Sequence, residues 1–222
     1  MLAAVKSELA IMRTMVLLMA AMSVTVCVFM CFGMGSYAGA SAACAMVPML
    51  VMFSLLGYDD QNGWLRYRSA LPFSRRDIVV GRYATILICS VIAIVLLFVV
   101  ALACTLAFPA LGVYMETAPA SEIFAACVAS SVIVLVLVSI AQPFATKFGT
   151  AKGARYIACA LMFVGCLIYV GTQFAAPELF GGFGDWVSQH PVASLAALVV
   201  VSLAIYAASC KLSICIFEKK DI

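Results

Sequence analysis

The stretch YDDQNGWLRYRSALPFSRRDIVVGRY, residues 58–83, decides the fold: it holds eight of the chain's 23 charged residues and separates two long apolar halves. No Lys, Arg, Asp or Glu occurs between Thr14 and Tyr58 on one side, or between Tyr83 and Met115 on the other. Uncharged runs of that length are membrane spans with a polar segment between them. Composition agrees, with 66% hydrophobic residues, 10% charged residues and a mean hydropathy of +1.18. A soluble domain carries about 25% charged residues.

A helix needs about 20 apolar residues to cross a hydrocarbon core of about 30 Å. The run from Thr14 to Tyr58 holds two such lengths, turning near Gly33-Met-Gly-Ser-Tyr-Ala-Gly39. Glycine permits a tight turn there, Tyr37 suits the headgroup level, and Gly35, Gly39 and Ala43 form a small-residue row for close helix contact. Four further spans are expected at 83–108, 122–145, 156–176 and 192–211. The expected fold is therefore an all-α, polytopic membrane protein of six transmembrane helices, a single domain over residues 1–222. The first apolar run lacks a small-x-small cleavage site before Gly33 and is read as a retained anchor. Ahead of it, residues 1–13 set Lys6 and Arg13 among Leu2, Val5, Leu9 and Met12, the pattern of a short amphipathic helix lying on the bilayer surface.

Orientation follows from the basic residues, which resist translocation. All 13 Lys and Arg fall before the first span, in 66–82, in 147–155, or from 211 onward, and so on one side of the expected membrane. The opposite loops carry Glu116, Glu122, Glu178 and Asp185. Both termini are expected in the cytoplasm. The net charge of +3 is then a signature of topology rather than of nucleic-acid binding, which needs a basic face on a recognition fold.

The ten cysteines lie within the spans or near their cytoplasmic ends rather than in outer loops, so they do not describe a disulfide framework. Cys27 and Cys31 have helical spacing, but with no His or carboxylate nearby they read as small apolar groups, and no metal site is expected. Polar and proline residues inside spans mark a possible transport path: Pro48, Gln142, Pro143 and Gln173. The prolines free carbonyls and bend their helices. With no charge at mid-membrane, an ion-coupled pump is disfavoured and a passage formed between subunits, for a large or amphipathic cargo, is favoured. The outer segment 177–191 mixes glycine with aromatics, Trp186 among them, and suits an interfacial loop or short outer helices. His190, the single histidine, reads as a solvated loop residue.

Enzyme motifs are missing from the sequence: there is no Gly-x-Ser-x-Gly, no His-Glu-x-x-His and no phosphate-binding Gly-x-x-x-x-Gly-Lys-Ser/Thr. The chain itself is expected to bind no cofactor and catalyse no reaction, so energy for any work has to come from a partner. Residues 58–83 are suited to meet one. Asp59 and Asp60 end the second span and Gly63 allows a turn. Residues 64–71 then form a short helix with Trp64, Tyr67 and Leu71 on one face. Pro72 stops that helix, and Ser74 caps a new one with Asp77 at its third position.

Those residues, from Asp59 to Tyr83, resemble the "LP-x-SR-x-x-IV-x-x-[KR]-Y" pattern of bacterial ATP-binding-cassette permease subunits of the type-2 exporter class. The six-span topology and the basic ending Ser-Cys-Lys-Leu-Ser-Ile-Cys-Ile-Phe-Glu-Lys-Lys-Asp resemble that class as well. The resemblance implies a dimeric permease in the bacterial plasma membrane, surrounded by lipid. It also implies a second permease subunit, identical or related, and a separate cytoplasmic ATP-binding-cassette ATPase holding ATP and magnesium. By the same resemblance the ATPase would be met through Asp59, Asp60, Trp64, Leu65, Arg66, Tyr67, Arg68, Leu71, Pro72, Ser74, Arg75, Arg82 and Tyr83. The competing expectation is a non-transporting membrane protein, such as an immunity or sensor subunit.

Overall fold

A computed structural model describes residues 2–61, 75–110, 118–148 and 189–218, together with Gly112, Tyr114 and Glu116. These residues form five helices: α1 (Leu2–Met34), α2 (Ala38–Gln61), α3 (Arg75–Ala110), α4 (Ala120–Phe148) and α5 (Pro191–Glu218). Each is long and apolar enough to cross a membrane, over Met15–Met34, Ala38–Gly57, Arg76–Pro109, Ala120–Lys147 and Pro191–Glu218. α5 is the sixth span of the sequence reading. The fifth, with Gln173, lies outside the described residues, as does most of the outer segment 177–191.

α1 runs unbroken from Leu2, so the amphipathic residues 2–13 form the first turns of the same helix as the first span rather than a separate helix. α3 starts at Arg75 with Asp77 in its first turn, where a carboxylate meets the positive end of the helix dipole. The break expected at Pro72 lies outside the described residues.

The helices pack as a bundle with two distinct ends. The foot gathers the end of α2, the start of α3 and the ends of α4 and α5; Ile78, Val79, Thr146 and Phe217 line one small cavity there. The head holds the α1–α2 turn, joined to the α3–α4 connection by a bond from the Glu116 N–H to the Gly35 carbonyl (2.8 Å) and another from Ser36 Oγ to Glu116 Oε2 (2.8 Å). α4 and α5 run in the same direction, since Ser139 meets Ser209 near mid-helix while Thr146 and Phe217 meet at the foot.

α2 lies at the centre, packed against α1, α3 and α4. It has the lowest mean hydropathy of the five spans, 1.9 against 3.3 for α3, yet 56% of it is buried. A span surrounded by protein needs less apolar surface than one facing lipid. α5 shows the complementary arrangement. Its buried stripe is Ser202, Tyr206, Ser209, Ser213 and Phe217, whereas Val200, Val201, Leu203 and Leu212 point outward. Polar groups persist in a span by turning toward protein.

The α1–α2 turn depends on two glycines. Gly35, with φ near 60°, caps α1 in the left-handed conformation and donates to the Cys31 carbonyl at 3.0 Å. It therefore sits in the turn, and the close small-residue contact is made by Gly39, with Ala40 and Ala43 buried nearby. A Cβ on Gly39 would stand 2.5 Å from the Cys31 nitrogen and 2.6 Å from the Met30 carbonyl carbon. Below this contact Cys27, Cys31, Cys44, Cys104 and Cys127, from four helices, are buried in the same core cluster. Among the described residues, no three His, Cys, Asp or Glu are placed to share a metal ion.

Candidate functional site at the foot of the bundle

Tyr83, two turns into α3, is buried and reaches across to α5. Its Oη lies 2.8 Å from both Ser209 Oγ and Ser213 Oγ. Tyr206 returns the contact, donating from its own Oη to the Tyr83 carbonyl at 2.8 Å, and the two rings meet edge to face with centroids 4.9 Å apart. Such aromatic pairs add about 0.5–1.5 kcal/mol beyond the area they bury.

The order of the protons can be deduced. Ser209 Oγ donates its single hydrogen to the Ser139 carbonyl on α4. Tyr83 must then donate to Ser209, and Ser213 donates to Tyr83. The result is a one-way chain, Ser213 to Tyr83 to Ser209 to the Ser139 carbonyl, through three helices. Hydrogen bonds in such chains polarise and strengthen one another in a low-dielectric interior.

Beside the chain is a cavity of about 10 Å³ lined by Val79, Arg82, Tyr83, Gln142, Thr146 and Phe217. That is about the room of a single water molecule. Gln142 is fully buried on its wall, and neither atom of its amide is bonded to another described residue. A larger cavity of about 60 Å³ between α1, α2 and α3 is apolar and offers a ligand no polar anchor other than the edge of Ser23.

Of the residues singled out from sequence, Arg82 and Tyr83 come together with Gln142 at this foot. Pro143 is buried next to them in α4, and Pro48 is buried in α2. Asp59 and Asp60 fall in the last turn of α2, and Arg75 opens α3. The side chains of these three, along with Trp64, Leu65, Arg66, Tyr67, Arg68, Leu71, Pro72 and Ser74, lie outside the described residues. Sequence reasoning missed Ser139, Tyr206, Ser209 and Ser213. A signal was available: hydroxyl residues at 202, 206, 209 and 213 recur at helical spacing within an otherwise apolar span.

The sequence profile of the ABC-2 family transporter proteins matches residues 5–218, nearly the whole chain. The chain belongs to this family. No curated protein matches it. As an ABC-2 family member it is a multi-pass membrane protein and the permease component of an ABC transporter, a non-catalytic part that associates with an ABC ATPase. In this ABC-2 chain the foot is where the hydrogen-bond chain, through Tyr83, stands about two turns into α3, the helix that follows the charged segment 58–74.

Proposed function

We propose that the chain is one permease half of an ATP-driven exporter in a bacterial cytoplasmic membrane, with six spans and both termini in the cytoplasm. Through residues 58–74, ahead of α3, the segment 58–83 docks on a separate ATPase that holds ATP and magnesium, while Arg82 and Tyr83 are buried in the bundle. A second permease subunit, identical or related, completes a passage for a large or amphipathic cargo. The observation that carries this reading is the position of Tyr83. α3 follows the docking segment directly, and Tyr83 ties its first turns to α5 and, through Ser209, to α4. Movement imposed on residues 58–74 therefore has a hydrogen-bonded route into three helices.

Helix direction supports the six-span count. α4 ends at the foot and the parallel α5 begins at the head, an arrangement that suits one further span between them. Residues 156–176 are the one apolar run of span length there. The outward side chains of α1 and α3, Leu17, Met22, Phe29, Val91 and Val95 among them, suit lipid or a second subunit.

The test is Trp64→Ala. If the Trp64, Tyr67 and Leu71 face inserts into the ATPase, the indole is its largest anchor, and losing such an anchor costs about 2 kcal/mol, or about thirtyfold in affinity. Insertion of the permease stays intact because the spans hold the fold. Arg66→Ala, whose charge would pair in the open, costs about 0–1 kcal/mol. ATPase retained per permease after purification in mild detergent measures both. Full retention by Trp64→Ala overturns the docking face.

A further inference from the structure

A proline in a helix has no N–H to give the carbonyl four residues before it. Pro48 thus leaves the Cys44 carbonyl without its main-chain donor, and Pro143 does the same to Ser139. Both carbonyls receive a hydroxyl from another helix. Ser131 of α4 donates to Cys44 at 3.3 Å, and Ser209 of α5 donates to Ser139. In a membrane interior a bare carbonyl cannot turn to water, so a neighbour's hydroxyl is what allows each proline to sit in a span.

We propose that Ser131 and Ser209 are clasps, positioning residues that close the proline gaps of α2 and α4. We further propose, resting on the exporter reading above, that the Ser209 clasp is where movement of the α3 foot reaches the α4 hinge. Proline gaps are the usual places for a helix to bend. α4 has a part in both clasps: it supplies the donor that closes the gap in α2, and its own gap is closed from α5. Ser209 is held on two sides, by the Tyr83 hydroxyl and by the Ser139 carbonyl, so displacing Tyr83 loosens the very group that closes the gap. Gln142, next to Pro143, has a buried amide bonded to no other described residue, which gives the hinge a polar group that a second arrangement of the foot can satisfy.

The first test uses permease alone, in two double-mutant cycles read by unfolding in mixed micelles. Ser131→Ala weakens the folded state about threefold, the average for interhelical hydrogen bonds in membranes. In a Pro48→Ala background residue 48 regains its N–H, Cys44 regains its donor, and Ser131→Ala has no effect. The Ser209→Ala effect likewise shrinks in a Pro143→Ala background, while keeping the part due to Tyr83. Equal effects of each serine change in both backgrounds overturn the clasps.

The second test uses permease assembled with its ATPase. Ser209→Ala lowers ATP hydrolysis per retained ATPase at least threefold without changing the amount retained. Ser202→Ala, whose hydroxyl bonds only within its own helix to Val199, changes neither. If the two variants hydrolyse alike, Ser209 does not transmit movement. If the parent retains no ATPase, the exporter reading fails and the transmission step fails with it, whereas the clasps stand or fall on the cycles.

Discussion

At the head, α1 and α2 meet backbone to backbone over Gly39, above a layer of five buried thiols; at the foot, α3, α4 and α5 meet through hydroxyls, an edge-to-face tyrosine pair and a carbonyl beside a proline. Packing of the first kind has one solution, because a close backbone approach tolerates little displacement. Packing of the second kind has several, because hydroxyls rotate and exchange partners at small cost. A permease needs a fixed part and a moving part. In the exporter reading proposed above, the head suits the first role and the foot the second.

The head is most sensitive at Gly39. Gly39→Val sets a branched side chain where even a Cβ meets Cys31 and Met30 main-chain atoms, and the loss should reach about 3 kcal/mol, the upper part of the usual overpacking range. The yield of monodisperse protein in detergent and its thermal midpoint measure this. A midpoint equal to the parent's would show that the head can shift, and the contrast with the foot would disappear.

A smaller effect sharpens the other half. Tyr83→Phe keeps the ring contact with Tyr206 and removes only the hydroxyl, with its two bonds to Ser213 and Ser209, which should cost about 1.2 kcal/mol, twice the average for one such bond in membranes. The same variant should lower hydrolysis per retained ATPase, as Ser209→Ala does. A change in stability with unaltered hydrolysis would leave the foot a structural contact and nothing more.

Much of this was legible in the sequence. The absence of charge over 14–58 and 83–115 announces spans, Gly35 and Gly39 place the first turn, and Asp77 marks the first turn of α3. Those signals are local, in that each residue's own backbone preference or its transfer energy decides the outcome. Pro48 and Pro143 were legible as gaps for the same reason. The groups that fill the gaps were not, because whether Ser131 faces Cys44 depends on the register between α2 and α4, which no periodicity within either helix contains. The meeting of Cys27, Cys31, Cys44, Cys104 and Cys127 was hidden likewise, since it is set by four helices at once. The row of Gly35, Gly39 and Ala43 misled in one respect: Gly35 shares the spacing but not the helix, having left it through a positive φ.

A cysteine introduced at Asn62 or at Ala118 tests directly whether the foot faces the cytoplasm, where an ATPase can reach it. Intact cells are treated with a membrane-impermeant maleimide, and labelling is compared with that of the parent chain, which carries its own ten cysteines. Added label is expected at position 118 in intact cells, and at position 62 only after the membrane is opened. Label at position 62 in intact cells would contradict that orientation, since the docking segment would then stand on the side of the membrane where no ATP is found.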